Sequence, residues 1–427
     1  MAKYKILVCP SDMSGVSKFR SIEPHMALEK FYPDLFSIDI DYQPQYDNEE
    51  YLKQYSLIHA HRLFGPYDDL VTKENGGKNL KLHMTETTQR LKKIGVPLVM
   101  DIDDYHTPSE AHPSYLIIKV DRVNEKVVNN LRLADYITTT NQYFIDEIKK
   151  INPHVYAIPN TIDPSDKQYI PQDIDRNGDT RLRIGYLAGS SHQKDLELMN
   201  GVVQRLKRDG MVPEKLSFML AGFDIRGTQH IIENGKITGV KKITAKESVW
   251  NVYERIFTDN YSTISPKYKE YLLSYDKNPP TFDISKEPYQ RHWTLPITKY
   301  ATNYNYLDIS VAPLLDHMFN RCKSNLKVIE AGFFKKALIC SHIGPYVDND
   351  LINVYEKGGK INDKGNILLV DKTQNHSDWY KYIKLLANNP DIVKQMGENL
   401  YNTVKDKYSI ETVAKLRKDI YLNILEK

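Results

Sequence analysis

LRIGYLAGSSHQKDL, residues 182–196, is the stretch whose reading decides the fold. Leu182–Leu187 is a mostly apolar run of strand length, Ala188–His192 is small and polar, and a helical pattern follows from Lys194 to Lys207. A buried strand, a Gly/Ser turn and a helix start form one unit of a parallel sheet covered by helices. The chain opens in the same way. Lys3–Cys9 reads as a buried strand, Pro10–Gly15 as a glycine-containing loop and Val16–Phe31 as a helix. Two such openings predict two α/β halves.

Outward from these openings, the rest of each half falls into place. In the first, Tyr55–His61, Gly95–Ile102 and Ala134–Thr140 read as strands, with helical patterns at Lys78–Lys93 and Tyr115–Leu133 and a strand stub at Val155–Ile158. This spacing predicts a doubly wound domain of about 160 residues. The polar stretch 166–181 is the linker candidate. In the second half, Leu216–Ala221, Leu307–Ala312, Lys336–Ser341 and Asn366–Val370 read as strands. Regular spacing breaks at 224–287, where a hairpin-like part (Ile231–Lys242) and two Tyr-rich helical stretches (Val249–Phe257, Pro266–Tyr275) read as an insertion, too long for an ordinary loop. Helical patterns at Trp379–Ala387, Asp391–Lys407 and Ile410–Leu425 end the chain. The expected division is therefore 1–165, a linker 166–181, 182–408, and a terminal helix in 409–427, with a ligand cleft between the halves.

Composition fits two globular units. Of 427 residues, 41% are hydrophobic and 26% charged, enough to bury real cores. Lys plus Arg number 58 against 55 Asp plus Glu, a net +3. This balance excludes a polybasic coat or an acidic tail, while leaving room for a local basic groove. No apolar run approaches the ~18 residues that span a bilayer, and the N-terminus lacks secretory flanks. The expectation is a cytoplasmic protein, with peripheral membrane contact left open. Cys9, Cys322 and Cys340 are odd in number and far apart, so they read as reduced thiols rather than a disulfide framework or zinc site. The 30 Tyr, against 12 Phe and 3 Trp, read as coding bias.

Four clusters carry candidate chemistry. Ser14, Gly15 and Arg20 follow the first strand, where backbone amides can approach a phosphate; an ordinary βα turn is the alternative. Gly189, Ser190, Ser191, His192 and Lys194 repeat that design in the second half and suit an anion; the alternative is a capping serine beside a surface histidine. Around Arg321, Lys323, Ser324, Asn325, Leu326, Lys327 and Glu330, Ser324 is expected to cap a helix whose free amides would bind a diphosphate. Glu330 lies among Val328, Ile329 and Ala331, where a carboxylate needs a partner: a ribose hydroxyl pair, or simply Lys327. Asp101, Asp103, Asp104 and His106 end a strand, where open α/β sheets bind ligands. They would position an acceptor hydroxyl, act as a base or hold a metal, and His59, His61 and Arg62 share their rim.

ADYITTTNQYFIDEI with VYAIPNTID (134–163), LRIGYLAGSSHQKDL, and DISVAPL with KSNLKVIEAGFFKKALICS (307–345) resemble GT-B glycosyltransferases of the glycosyltransferase 4 type, in a divergent form common in phage and bacterial surface-sugar loci. The resemblance implies two Rossmann-like domains facing a cleft, a nucleotide-sugar donor on the second, an acceptor on the first, and a last helix crossing back. It also implies retention of anomeric configuration and no required metal or other cofactor. Gly15 matches the glycine loop facing the donor diphosphate, Lys194 the phosphate lysine, Ser324–Leu326 the diphosphate loop, and Glu330 the ribose-holding second glutamate of an E-x7-E motif. The first glutamate is replaced by Cys322, the glycine before Leu326 by Asn325, and an arginine by Ser190; Arg321, Lys323 or Lys327 would supply the missing charge.

The reading is a glycosyltransferase moving a sugar from a nucleotide-diphosphate sugar, UDP-linked, to a glycan or other hydroxyl acceptor. Asp103, Asp104 and His106 are assigned to acceptor or sugar hydroxyls. Rival readings are a glycosyltransferase acting on hydroxymethylated phage DNA, a non-catalytic binding or assembly module of the same fold, and a sugar-nucleotide epimerase.

Overall fold

The computed structural model describes residues 2–65, 84–110, 112–225, 227–233, 236–244, 247–275, 278, 281–356, 358–371 and 376–427. The first sheet contains β1 (Tyr4–Cys9), β2 (Phe36–Ile40), β3 (Leu57–His61), β4 (Leu98–Asp101), β5 (Tyr136–Thr139) and β6 (Val155–Ala157). Its order is β2-β1-β3-β4-β5-β6, with every pairing parallel. The second contains β7 (Leu182–Leu187), β8 (Leu216–Phe223), β11 (Tyr289–Trp293), β12 (Ile309–Ala312), β13 (Ala337–Ser341) and β14 (Leu368–Val370). Its order is β11-β8-β7-β12-β13-β14, again parallel. An antiparallel hairpin, β9 (Thr228–Glu233) and β10 (Lys236–Lys242), stands apart from both.

Central strands such as Ile6-Leu7-Val8 and Leu338-Ile339-Cys340 are wholly buried, as parallel strands covered on both faces must be. The edge strands β2 (FSIDI) and β11 (YQRHW) are only partly buried beyond their first residues. Lacking an apolar run, they escape a search for buried strands. Strand order reverses between β1 and β3 in one sheet and between β7 and β12 in the other. Crevices at such reversals, beyond the carboxyl ends of the strands, are where open α/β sheets bind ligands.

Two long helical patterns are interrupted. Tyr115–Val120 and Val123–Leu133 are separated at Arg122, whose φ is +52°. Gln193–Leu196 and Val202–Arg208 are separated by a 3-10 turn and by Gly201 at φ +86°. The expected helix at Lys78–Lys93 appears as Met84–Ile94; residues 78–83 lie outside the described residues.

Segment 224–287 is more than an appendage. The helix Val249–Thr258 buries Trp250, Tyr253, Ile256 and Phe257 in the second core, with Tyr253 against Tyr186 and Phe257 against Phe218. The chain then enters the sheet as β11. Glu254 and Arg291, both fully buried, pair at 2.6 Å, and Tyr289 donates to the same carboxylate at 2.8 Å. The segment is thus the β8-to-β11 crossover with a hairpin added. Linker residues are likewise tied down: Tyr169 is buried, and Arg176 grips Asp308 at 2.7 and 2.8 Å.

The helix Ile410–Leu425 packs on the first half, where Val413, Ile420, Tyr421 and Ile424 join Ile6, Val8, Leu57 and Val99. Beside Ile162 it meets the outgoing chain: Ile162 N–H donates to Tyr408 O at 3.1 Å, and Ile410 N–H to Ile162 O at 3.0 Å. Among the described residues no helix is long and apolar enough to cross a membrane.

Candidate functional site

A cleft of about 850 Å³ opens at the carboxyl edge of the second sheet, within the size range of small-molecule sites. Its walls are the loop after β7 (Ala188–Gln193), the end of β8 with Gly222, Asp224 and Ile225, the hairpin base, Thr294 and Leu295 after β11, and Tyr300, Asn303 and Lys327. Pro113, Leu116 and Ile117 face it from the first half. Gly222 has φ +102°, and a Cβ there would lie 2.9 Å from Ala188 O, so only glycine lets β8 end so close to that loop. Tyr253 staples the loop from below: its hydroxyl donates to Gly189 O at 3.2 Å and accepts from His192 N–H at 3.1 Å.

A smaller hollow shares Ser191 and His192 with this cleft and adds Lys194, His317 and Lys323, with Ser109 and His112 from the first half. Buried Asp195 organises it, accepting from Leu315 N–H and the Asn320 amide, both at 2.7 Å, and bonding His192 Nδ1 at 2.7 Å. One carboxylate therefore locks the β7 and β12 loops, the two that flank the strand-order reversal. Burial lowers the pKa of His192, His112 and His317, and Lys323 pushes each the same way. These imidazoles are neutral at pH 7, and the fixed positive charge of the hollow comes from lysine.

The helix Leu326–Phe333 begins behind this hollow. Its N-cap is Asn325, without a side-chain cap. Ser324, expected as the cap, instead accepts from the Asn160 amide at 3.0 Å, and Asn325 donates to the Tyr408 hydroxyl at 2.8 Å. Both side chains are drawn toward the interdomain crossing, which leaves first-turn amides for a ligand. Leu326 packs on the second core. Lys327 pairs with Glu330 at 3.0 Å. Glu330 is fully buried and also accepts from Tyr304 at 2.9 Å and from Tyr300. Lys327 and Tyr300 line the cleft, with the carboxylate behind them. Tyr300 and Tyr304 belong to the 3-10 segment Tyr300–Tyr306. Nothing in the sequence marks them out, because that stretch has no apolar period.

The remaining expected residues separate. Gly189, Ser190 and His192 line the cleft. Lys194 borders the hollow but pairs with Glu197 at 2.8 Å, in the 3-10 turn that follows its helix. Arg321 pairs with Asp316 at 2.6 Å. Gly15 abuts the second half, where a Cβ would fall 2.6 Å from Ile297 Cδ1. Arg20 does not face a donor. It is 1% exposed, clamps Asp101 at 2.7 and 2.9 Å, and donates to Ile158 O and Asn160 at 2.7 and 3.0 Å. Its donor-binding assignment is corrected: the protein consumes its hydrogen bonds internally. Cys322 is buried in the first half's apolar cluster, and burial raises its thiol pKa to about 12. It is an interdomain packing residue.

On the first-half rim, Asp103 accepts from Arg62 at 2.7 and 3.0 Å and from His61 Nε2 at 3.1 Å. Burial raises its pKa, but Arg62 and His61 outweigh this and hold it well below the ordinary value. Asp104 accepts from Arg62 at 3.0 Å and lies 3.6 Å from Lys323 of the other half. His106 is engaged with Thr107 at 2.9 Å, and burial lowers its pKa.

We find no match to a protein-family model or to a curated protein sequence. Solved structures do match along the whole chain. A glycosyltransferase from Rickettsia africae covers 100% of both chains at 11% identity and TM-score 0.57. Anabaena HepE in complex with UDP and glucose covers 98% of this chain and 100% of its own at 10% identity and TM-score 0.55. Sucrose-phosphate synthase from Thermosynechococcus elongatus covers 100% of both at 12% identity and TM-score 0.53. The fold is that of the GT-B glycosyltransferases. The cleft described above is walled mainly by the second half, and the Asp103–Arg62 rim belongs to the first.

Proposed function

We propose that the protein transfers a sugar from a nucleotide-diphosphate sugar, UDP-linked, to a hydroxyl acceptor, with retention at the anomeric carbon. One observation carries the reading: an uncapped helix start, Lys323, Lys327 and the Gly189–His192 loop converge at the strand-order reversal of the second sheet, beside a cleft large enough for a nucleotide. Charge developing on a departing diphosphate is stabilised there by amides and lysines that need no reorganisation. The solved HepE complex with UDP-glucose, at 10% identity, supports the choice of nucleotide, and the sequence resemblance supports retention.

A thermal-shift panel of UDP-, GDP-, ADP- and dTDP-glucose tests this, because a ligand that binds only the native state raises its melting temperature. UDP-glucose at about 100 times its dissociation constant should stabilise the fold by about 2.7 kcal/mol. No shift with any of the four would refute the proposal. Lys323→Ala and Lys327→Ala should each weaken UDP binding about tenfold by calorimetry, as loss of one charge-assisted contact does.

A further inference from the structure

Asn141 follows β5 and caps the helix Gln142–Ile148 of the first half, its side-chain Oδ1 accepting from Phe144 N–H at 2.9 Å. Capping occupies only the carbonyl end of that side chain, and the amide end keeps its two hydrogens. One donates to Lys323 O of the second half at 2.7 Å. The other lies between Cys322 O at 3.3 Å and Thr140 Oγ1 at 3.4 Å. The segment held in this way joins the short helix Met318–Arg321 to the helix Leu326–Phe333. Further anchors also come from the first half. Cys322 packs in its apolar cluster, the Tyr143 hydroxyl lies 3.6 Å from Met318 Sδ, and the Asn160 amide donates to Ser324 at 3.0 Å. The Lys323 side chain is held less closely. Its Nζ is 3.6 Å from Asp104, beyond hydrogen-bond reach, and 4.7 Å from the Phe319 ring centre, on the wall of the hollow. The backbone of Lys323 is thus fixed by one half while its ammonium group serves the other.

We propose that Asn141 is a positioning residue for the donor: by holding Lys323 O from the first half, it sets Lys323 where its ammonium group meets the outer phosphate of a nucleoside diphosphate. This rests on the glycosyl-transfer reading above. Lysine is a point charge on a flexible four-carbon stem. Anchoring the backbone at its root limits the arc that stem can sweep, so less freedom is lost when the phosphate arrives. Without the amide, the ligand itself must order the segment, and affinity falls by that cost. Asn141 is not among the residues that wall the larger cleft. Its effect should therefore register with a ligand that carries the outer phosphate and not with one that lacks it.

The test uses the full chain, with UDP and UMP affinities measured by calorimetry. Ser and Asp cap helices as Asn does, so Asn141→Ser and Asn141→Asp keep the helix Gln142–Ile148. The serine removes the amide, and the aspartate in addition sets a carboxylate against two carbonyl oxygens. UDP affinity should fall about tenfold in Asn141→Ser, the worth of one charge-assisted contact, and further in Asn141→Asp. UMP affinity should stay within about twofold in Asn141→Ser, a separation of the two ligands that a purely structural role would not produce. Because Asn141 acts through Lys323, Asn141→Ser combined with Lys323→Ala should bind UDP within about twofold of Lys323→Ala alone. UDP affinity of Asn141→Ser within twofold of wild type overturns the assignment. So does an equal loss for UDP and UMP, or a double variant whose loss is the product of the two single losses. Wild-type protein that does not bind UDP overturns the glycosyl-transfer reading, and the role of Asn141 with it.

Discussion

Asp101→Ala should lower the melting temperature by about 10 °C, the largest stability effect expected of a single substitution on the first-half rim. Asp101 and Arg20 are 0% and 1% exposed and joined by two hydrogen bonds. Thr138 adds a third bond to the carboxylate at 2.6 Å. Removing one partner of such a pair strands the other charge in the core, which costs about 3–5 kcal/mol, and each kcal/mol moves the midpoint of a domain this size by about 2–4 °C. Burial raises the pKa of Asp101, yet the charge and hydrogen bonds of Arg20 outweigh it, so the folded value is depressed. The contribution is therefore complete above the unfolded value near about pH 4 and is lost as pH falls through the depressed folded value. Calorimetric melts between pH 3 and 7 should show wild type and Asp101→Ala converging at the acid end. Parallel curves would show that the pair adds nothing specific.

Glu330→Ala should weaken UDP binding by about 10- to 100-fold, the worth of one or two hydrogen bonds to a charged group. The carboxylate is reached through Tyr300 and Lys327, both on the cleft wall. If it holds the ribose, UMP should lose affinity by the same factor as UDP while pyrophosphate is unaffected. If it serves only to aim Lys327, pyrophosphate should suffer with UDP. Glu330→Gln keeps the shape and one oxygen that can accept from a tyrosine, but loses the second acceptor and the charge paired with Lys327, so it should fall between wild type and Ala. Undiminished UMP affinity in Glu330→Ala would refute the ribose role.

Much of this was legible because central parallel strands announce themselves as apolar runs bounded by small residues. Lys3–Cys9 and Leu182–Leu187 are such runs, and they open the two sheets. β2 and β11 stayed hidden because edge strands carry polar residues, and without β11 the crossover 224–287 looked like an insertion. Spacing also set Ser190 and His192 in the loop after β7, Lys323 ahead of the helix Leu326–Phe333 and Glu330 within that helix. It did not reveal which atoms are already spent. Arg20 follows the first strand as a phosphate ligand would, yet Asp101, eighty-one residues away, Ile158 O and Asn160 take its donors. Tyr253 and Tyr300 were invisible for the converse reason: their importance lies in hydroxyl geometry, and no periodicity records that.

The side-by-side passage of the chain at Ile162 and Tyr408–Ile410 sets the mechanics of the cleft. A lone tether would let one half twist freely about the other. Two crossings bonded by Ile162 N–H to Tyr408 O and Ile410 N–H to Ile162 O act instead like the leaves of a door hinge, suppressing torsion while leaving one bending axis soft. Bending about that axis would change the 3.6 Å gap between Asp104 of the first half and Lys323 of the second without twisting one sheet against the other.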